Sequence, residues 1–213
     1  PDLRFCRRDF GTVINADASS PQGIERAIKL KLSERAFPEI EGTKAFVVDT
    51  SRVYEAMPIF NPYRKGRLFV LFRHPVERAV SKYHYIKIAT WEKNYKPELK
   101  DMTMMEYAQS RHCYNNWMTR RLVHKMTPGS ELTRDDLDLA KEILRRKALV
   151  LFTDDMAGSA ERLRQYFFWS DEALELNAEQ KTCLQTHIYL EPMNVNPHPS
   201  LDSKSPEWAA IRE

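Results

Sequence analysis

Short apolar runs punctuate the chain at Thr12–Asn15, Ala45–Asp49, Leu68–Phe72 and Leu149–Thr153. Leu-Phe-Val-Leu-Phe and Leu-Val-Leu-Phe, in the last two, are continuous rather than alternating, the pattern of parallel strands covered on both faces. Between the runs the apolar period lengthens to that of helices. Pro21–Ala36 places Ile24, Ala27, Ile28 and Leu32 on one stripe. His74–Ala89 carries Pro75 at its first helical position, where the missing N–H costs nothing. Met102–Lys125, Arg134–Lys147 and Met156–Trp169 also read as helices. Thr133 and Asp136 make a capping-box start for Arg134–Lys147, with Asp in place of the usual Glu or Gln. Strands alternating with helices predict an α/β fold with a mainly parallel central sheet flanked by helices. The stretch from Glu191 to Pro206, rich in Pro, Asn and Ser, predicts an extended C-terminal tail over residues 190–213.

At 213 residues the chain is long enough to bury the core of a single domain spanning 1–213. Hydrophobic residues at 42% and charged residues at 30% are the mix of a chain that folds around a core. Lys plus Arg exceed Asp plus Glu by only 33 to 30, so no nucleic-acid partner follows from the charge balance, and any anion site must be local. Cys6, Cys113 and Cys183 are far apart and lack CxxC spacing, which argues against a dense disulfide framework while leaving one bridge open. The six histidines never form HxH, HxxxH or HExxH, so no metal is expected. No apolar run approaches the roughly 20 residues of a membrane span, and residues 1–20 lack a signal-peptide layout. The chain starts at Pro1 and stops as abruptly at Glu213, as a fragment truncated at both ends would.

The stretch richest in chemistry is Arg67-Leu-Phe-Val-Leu-Phe-Arg73-His74-Pro75-Val-Glu-Arg78-Ala-Val-Ser81-Lys-Tyr83-His-Tyr85. A buried strand ending at Arg73, followed at once by a proline-initiated helix, puts Arg73 at the carboxyl end of the sheet, where α/β folds bind ligands. Free N–H groups, the helix dipole, a bidentate guanidinium and the Ser81 hydroxyl can converge on one phosphate. Taken singly, Arg73 and Arg78 are ordinary surface charges pairing with Glu77; the ordered set is what carries information.

The run Arg-x-Pro-x-x-Arg-x-x-Ser-x-Tyr, entered from a strand, resembles the 3′-phosphate-binding motif of sulfotransferases that use 3′-phosphoadenosine 5′-phosphosulfate (PAPS), especially the membrane-associated carbohydrate group. The resemblance implies a P-loop-NTPase-like sulfotransferase fold, PAPS or adenosine 3′,5′-bisphosphate as bound nucleotide, a glycan or similar hydroxyl- or amine-bearing acceptor, and a Golgi or other endomembrane setting. It further implies that Arg73 and Ser81 contact the 3′-phosphate, with Arg78 and Tyr85 in support. Ala45-Phe-Val-Val-Asp49-Thr-Ser51-Arg-Val-Tyr54-Glu55 is similar to the acceptor-side segment, giving Asp49, Ser51 and Tyr54 as substrate candidates. Asn115-Asn-Trp-Met-Thr119-Arg120 resembles an Asn-rich helix start of the heparan sulfate 2-O- and 6-O-sulfotransferases, and Asn194–Ser200 a late loop near the nucleotide.

The family's second signature, a Lys-x-Gly-Thr-Thr loop that cradles the 5′-phosphosulfate through N–H donors and a lysine, does not occur in the chain. The nearest equivalent in topology, Val13 to Gly23, lacks lysine and carries Asp17. Two readings stay open: the loop lies upstream of Pro1, or the domain has lost it and serves as a non-catalytic binding or structural subunit with protein partners. A catalytic chain would use a general base for the acceptor proton, with Glu55 and His84 as the candidates. The absence of GxxxxGK[ST] disfavours a P-loop kinase. Met102, Met104 and Met105 read as helix packing, Tyr166–Trp169 as core at a helix end with adenine stacking as the alternative, and Lys141, Arg145, Arg146 and Lys147 as charges complementing a helix C-terminus.

Overall fold

A computed structural model describes residues 2–8, 11–34, 47–91, 95, 97–127, 129–169, 176–186 and 197–212. The chain divides into two compact units, Pro1–Leu68 with Asn116–Lys147, and Phe69–Asn115 with Ala148–Glu213.

The first unit opens with an antiparallel hairpin of β1 (Phe5–Arg8) and β2 (Gly11–Ile14), in register Phe5↔Ile14 to Arg8↔Gly11. α1 (Pro21–Lys29) follows, with Ser20 as N-cap accepting from Gly23 N and Pro21 in its first turn, and it buries Ile24 and Ala27. A 3-10 turn at Leu32–Glu34 and the short α2 (Val53–Ala56) come next. α5 (Trp117–Leu122) and α6 (Arg134–Lys147) complete the unit. Its core gathers Leu3, Ile24, Ala27, Leu32, Ala56 and Ile59.

The second unit contains β4 (Ala148–Phe152) paired in parallel with β3 (Leu68–Phe72). α3 (Pro75–Ile86) follows β3, then α4 (Met104–Gln109). β4 runs into α7 (Met156–Phe167), with α8 (Ala178–Leu184) and α9 (Pro206–Arg212) beyond it. Val76, Ala79, Val80 and Tyr83 form the buried stripe of α3. Ala79, Tyr83 and Tyr107 make the core cluster, with Ile86, Met102, Met104, Cys113 and Ile211 packed around it. Ser159 is 2% exposed; its hydroxyl accepts from Phe152 N at 2.8 Å and donates to Phe152 O at 2.9 Å, tying the end of β4 to α7.

The α/β class and the parallel pairing of Leu68–Phe72 with the Leu149–Thr153 run agree with the sequence reading, but the single mainly parallel sheet does not. Among the described residues there are two separate two-stranded sheets, one of them antiparallel. Residues 47–49 of the expected strand Ala45–Asp49 have no regular structure, and the rest of it lies outside the described residues. Nor is β3 covered on both faces. Val70 is buried while Phe69 and Leu71 are 39% and 45% exposed, the period-2 alternation of a strand with one face packed.

The expected helix Met102–Lys125 is two helices. Ser110 ends α4 with ψ 161°, its hydroxyl donating to Tyr107 O at 2.8 Å, and Asn116 enters α5 with a left-handed φ of 48°. A serine that offers the last turn an alternative hydrogen bond, followed by an asparagine tolerant of positive φ, breaks a helix that apolar period alone would continue. The Thr133–Asp136 start forms as expected: Thr133 N donates to Asp136 Oδ2 at 2.7 Å and Asp136 N to Thr133 Oγ1 at 3.3 Å. Lys125 Nζ also donates to Asp136 Oδ2, at 2.7 Å. Cys6, Cys113 and Cys183 are free thiols. Phe168 caps α7 with φ 58° and is 86% exposed, so the aromatic run at that helix end is not core, although Phe167 and Trp169 stack on each other at 4.7 Å. The described part of the expected tail, residues 197–212, ends in a helix, because Ser205 and Pro206 supply an N-cap and a first-turn proline. Glu191–Asn196 lies outside the described residues.

Candidate functional site

Arg73 follows the last residue of β3, and His74 is the N-cap of α3, with φ −49° and ψ 128° and no side-chain cap bond. Pro75 has no N–H to satisfy, and His74 O accepts from Arg78 N at 2.9 Å. The Val76 and Glu77 amides belong to the helix end that lacks intrahelical acceptors. The Arg73 side chain is 36% exposed, with Nε 3.7 Å from Glu77 Oε2. Helical spacing puts Arg78, Ser81, Lys82 and Tyr85 at i, i+3, i+4 and i+7, a single stripe on the side of α3 away from its buried residues.

That stripe is electropositive and partly out of water. Burial lowers the pKa of Arg78, against the opposing effects of Tyr107 and Cys113. Burial, and then the charge of Arg78, lowers that of Lys82. Lys82 Nζ donates to His112 O at 3.3 Å and lies 5.0 Å from the Tyr114 ring centre. Burial pushes the Tyr107 hydroxyl well above its ordinary value and raises the Cys113 thiol. Two like charges, each partly desolvated on adjacent turns, are both relieved by an anion laid across them. Tyr85 meets the Trp91 ring edge-on at 6.2 Å.

Both histidines of α3 are engaged by the C-terminal segment. His74 stacks on Trp208 at 5.3 Å, and His84 on His198 at 4.9 Å with the rings 4° from parallel. The Tyr83 ring meets the His84 ring edge-on at 5.0 Å. Burial, then the neighbouring His198 and Lys87, lowers the His84 pKa. His198 belongs to the stretch Asn194–Ser200 that resembles the family's late loop.

The acceptor-side candidates lie in the first unit. Asp49 and Ser51 are exposed. Tyr54 and Glu55 sit on α2 and meet a residue the sequence reading had not singled out, His124, whose ring stacks on Tyr54 at 4.4 Å and whose Nδ1 is 3.8 Å from Glu55 Oε2. Glu55 Oε1 accepts from Arg52 at 3.2 Å. The Arg52–Glu55 pair was readable from its i, i+3 spacing. His124, which adopts φ 59°, had no local signal, because its contacts span about seventy positions of sequence.

The segment between β2 and α1 is closed on itself. Asp17 Oδ1 accepts from Ser19 N at 3.0 Å and Ser19 Oγ at 2.6 Å, while Ser20 Oγ accepts from Gly23 N at 3.1 Å. Thr50 Oγ1 donates to Ala18 O at 2.7 Å and Arg52 Nε to Ser19 O at 3.3 Å. A carboxylate holds the donors that an anion would need.

Among the described residues, no three His, Cys, Asp or Glu side chains are grouped to hold a metal ion, and no helix is long and apolar enough to cross a membrane. The chain matches no family model, and neither the curated proteins nor the solved structures contain a significant match to it.

Proposed function

We propose that this chain is a sulfotransferase-type domain whose second unit binds the 3′-phosphate of PAPS, or of its product adenosine 3′,5′-bisphosphate. The observation that carries this reading is the sequence Arg73 to Tyr85 laid out as a strand end, a proline-initiated helix and one stripe of Arg78, Ser81 and Tyr85. Arg73 and the first-turn amides take the phosphate, and Ser81 donates to it. Arg78 and Lys82 supply charge from the flank. Transfer would be an in-line displacement in which the acceptor oxygen or nitrogen bonds to sulfur, the sulfur–oxygen bond to the nucleotide breaks, and a general base takes the acceptor proton. A glycan hydroxyl or amine is the acceptor class the motif implies.

Calorimetric titration with adenosine 3′,5′-bisphosphate tests the site. Arg73→Ala is expected to weaken binding by about 1.5–3 kcal/mol, the scale of a hydrogen bond to a charged group. Equal affinities of the two proteins would remove the assignment.

The self-closed Asp17–Ser20 loop supports a second reading, a non-catalytic domain that keeps the nucleotide but cannot hold a phosphosulfate. Tight bisphosphate binding together with no sulfate transfer from radiolabelled PAPS to a panel of glycans, by the longest natural chain that contains this domain, selects that reading. Transfer rejects it.

A further inference from the structure

His74 and His84 stand at opposite ends of α3, ten positions and so about 15 Å apart. Their ring partners, Trp208 and His198, occur in the reverse order ten positions apart. The segment 198–208 therefore runs antiparallel along α3 as a strap stapled at each end by a histidine stack.

The strap is held differently along its length. Toward the Trp208 end it is folded on itself: Asp202 O accepts from Ser205 N at 3.0 Å, Asp202 Oδ1 from Lys204 N at 2.9 Å and Ser205 Oγ from Trp208 N at 3.1 Å. One turn on, Ile211 packs against the Ala79, Tyr83 and Tyr107 cluster. At the His198 end the ring stack on His84 joins it to α3. Two stacked imidazoles repel one another once both carry charge.

Among the described residues, the groups acting on the His84–His198 pair include no anion. On α3 they are Lys87 and Tyr83, with Lys87 Nζ donating to Tyr83 Oη at 3.1 Å. On the strap they are His198 itself and Pro199 O, 3.0 Å from His198 Nδ1. Met102 O accepts from both Tyr83 Oη and Lys87 Nζ.

We propose that residues 198–205 are an acid-released latch on α3: proton uptake by the His84–His198 pair lifts this part of the strap, while Trp208 on His74 and Ile211 in the core keep its far end in place. The direction agrees with the environment of His84, where burial and neighbouring cations already favour the neutral ring. A base whose docked pKa is depressed binds its proton more tightly when released. Docking is therefore complete above the ordinary histidine value of about 6.5 and is lost as the pH falls through it toward the lower docked value. Release opens the flank of α3 at His84, one turn from Ser81.

Hydrogen exchange on the full chain at pH 7.5 and pH 5.5, expressed as protection factors so that intrinsic exchange rates cancel, tests the latch. The peptide covering residues 198–205 is expected to lose protection at the lower pH, the direction that linkage sets for a depressed docked pKa. α6 should stay protected. His198→Phe and His84→Phe each keep a stacked ring but cannot place two charged imidazoles together, so each should stay protected at both pH values. A pH-independent wild type, or phenylalanine variants that lose protection as the wild type does, would overturn the proposal. Two independent replacements guard against either one failing to fold, which a thermal melt at pH 7.5 detects.

Discussion

Glu77→Gln should move stability and anion affinity in opposite directions. Glu77 lies in the first turn of α3, its carboxylate 3.7 Å from the Arg73 guanidinium, with side chains 52% and 36% exposed. At that distance two unit charges in water interact by about 1 kcal/mol, and exposed pairs measure about 0.2–1 kcal/mol once side-chain ordering is counted. An acid in the first turn also favours the helix dipole by about 0.3–1 kcal/mol. The glutamine variant should therefore be less stable by about 0.5–1.5 kcal/mol, read as a shift in the urea midpoint at constant slope. For a phosphate at the same helix end, Glu77 is a competitor for Arg73 and a like charge. Removing it should tighten adenosine 3′,5′-bisphosphate binding by about 1.5- to 5-fold, the affinity equivalent of the exposed pair. Repeating the calorimetry near 1 M salt, where the Debye length is about 3 Å, should erase the gain. Unchanged or weaker binding by Glu77→Gln at low salt would refute the placement of the phosphate at Arg73, whatever the variant's stability.

Other consequences are local. Asp136, which accepts from Lys125 and the Thr133 amide, has its pKa lowered to about 2. Its contribution is present above the ordinary carboxylate value and lost as the pH falls toward 2, so the melting temperatures of wild type and Asp136→Asn should differ at pH 6 and converge near pH 2. Gly23→Ala would place a Cβ 1.9 Å from Asp17 O, and forced overpacking of this kind costs about 1–3 kcal/mol, measurable by chemical denaturation. Ser159→Ala should cost about 1–3 kcal/mol by the same measurement, because it leaves the buried end of β4 without the hydroxyl that serves both its N–H and its C=O; a variant as stable as wild type would mean that water replaces that hydroxyl.

What could be read from the sequence was whatever depends on near neighbours. Leu68–Phe72 was found residue for residue because five apolar side chains in a row leave few alternatives. Arg134–Lys147 was bounded equally well, by a Thr–Asp cap at one end and a basic last turn at the other. α9 could have been read and was not: Ser205-Pro206-Glu207 is a helix start, hidden in a stretch whose prolines and asparagines argued for loop. The break at Ser110 was the choice between continuing a helix and satisfying its last carbonyl with a hydroxyl, which periodicity does not weigh. At the candidate site, Arg73 directly precedes the N-cap of α3, and Arg78, Ser81 and Tyr85 follow on its successive turns, so the sequence order was already the geometry. His124 against Glu55, and His198 and Trp208 along α3, depend on long-range contacts that no window of sequence contains.

Residues 116–147, which complete the first unit, are inserted between the two pieces of the second. On the ribosome, the core of Leu3, Ile24, Ala27 and Ile59 is synthesised before α5 and α6 emerge, while β3 and α3, already made, wait for β4 to pair with β3. Each unit is closed by a segment synthesised after part of the other. A nascent chain halted near residue 115 therefore has neither unit complete, and β3, with Phe69 and Leu71 on its exposed face and β4 not yet made, is where a chaperone would first be needed.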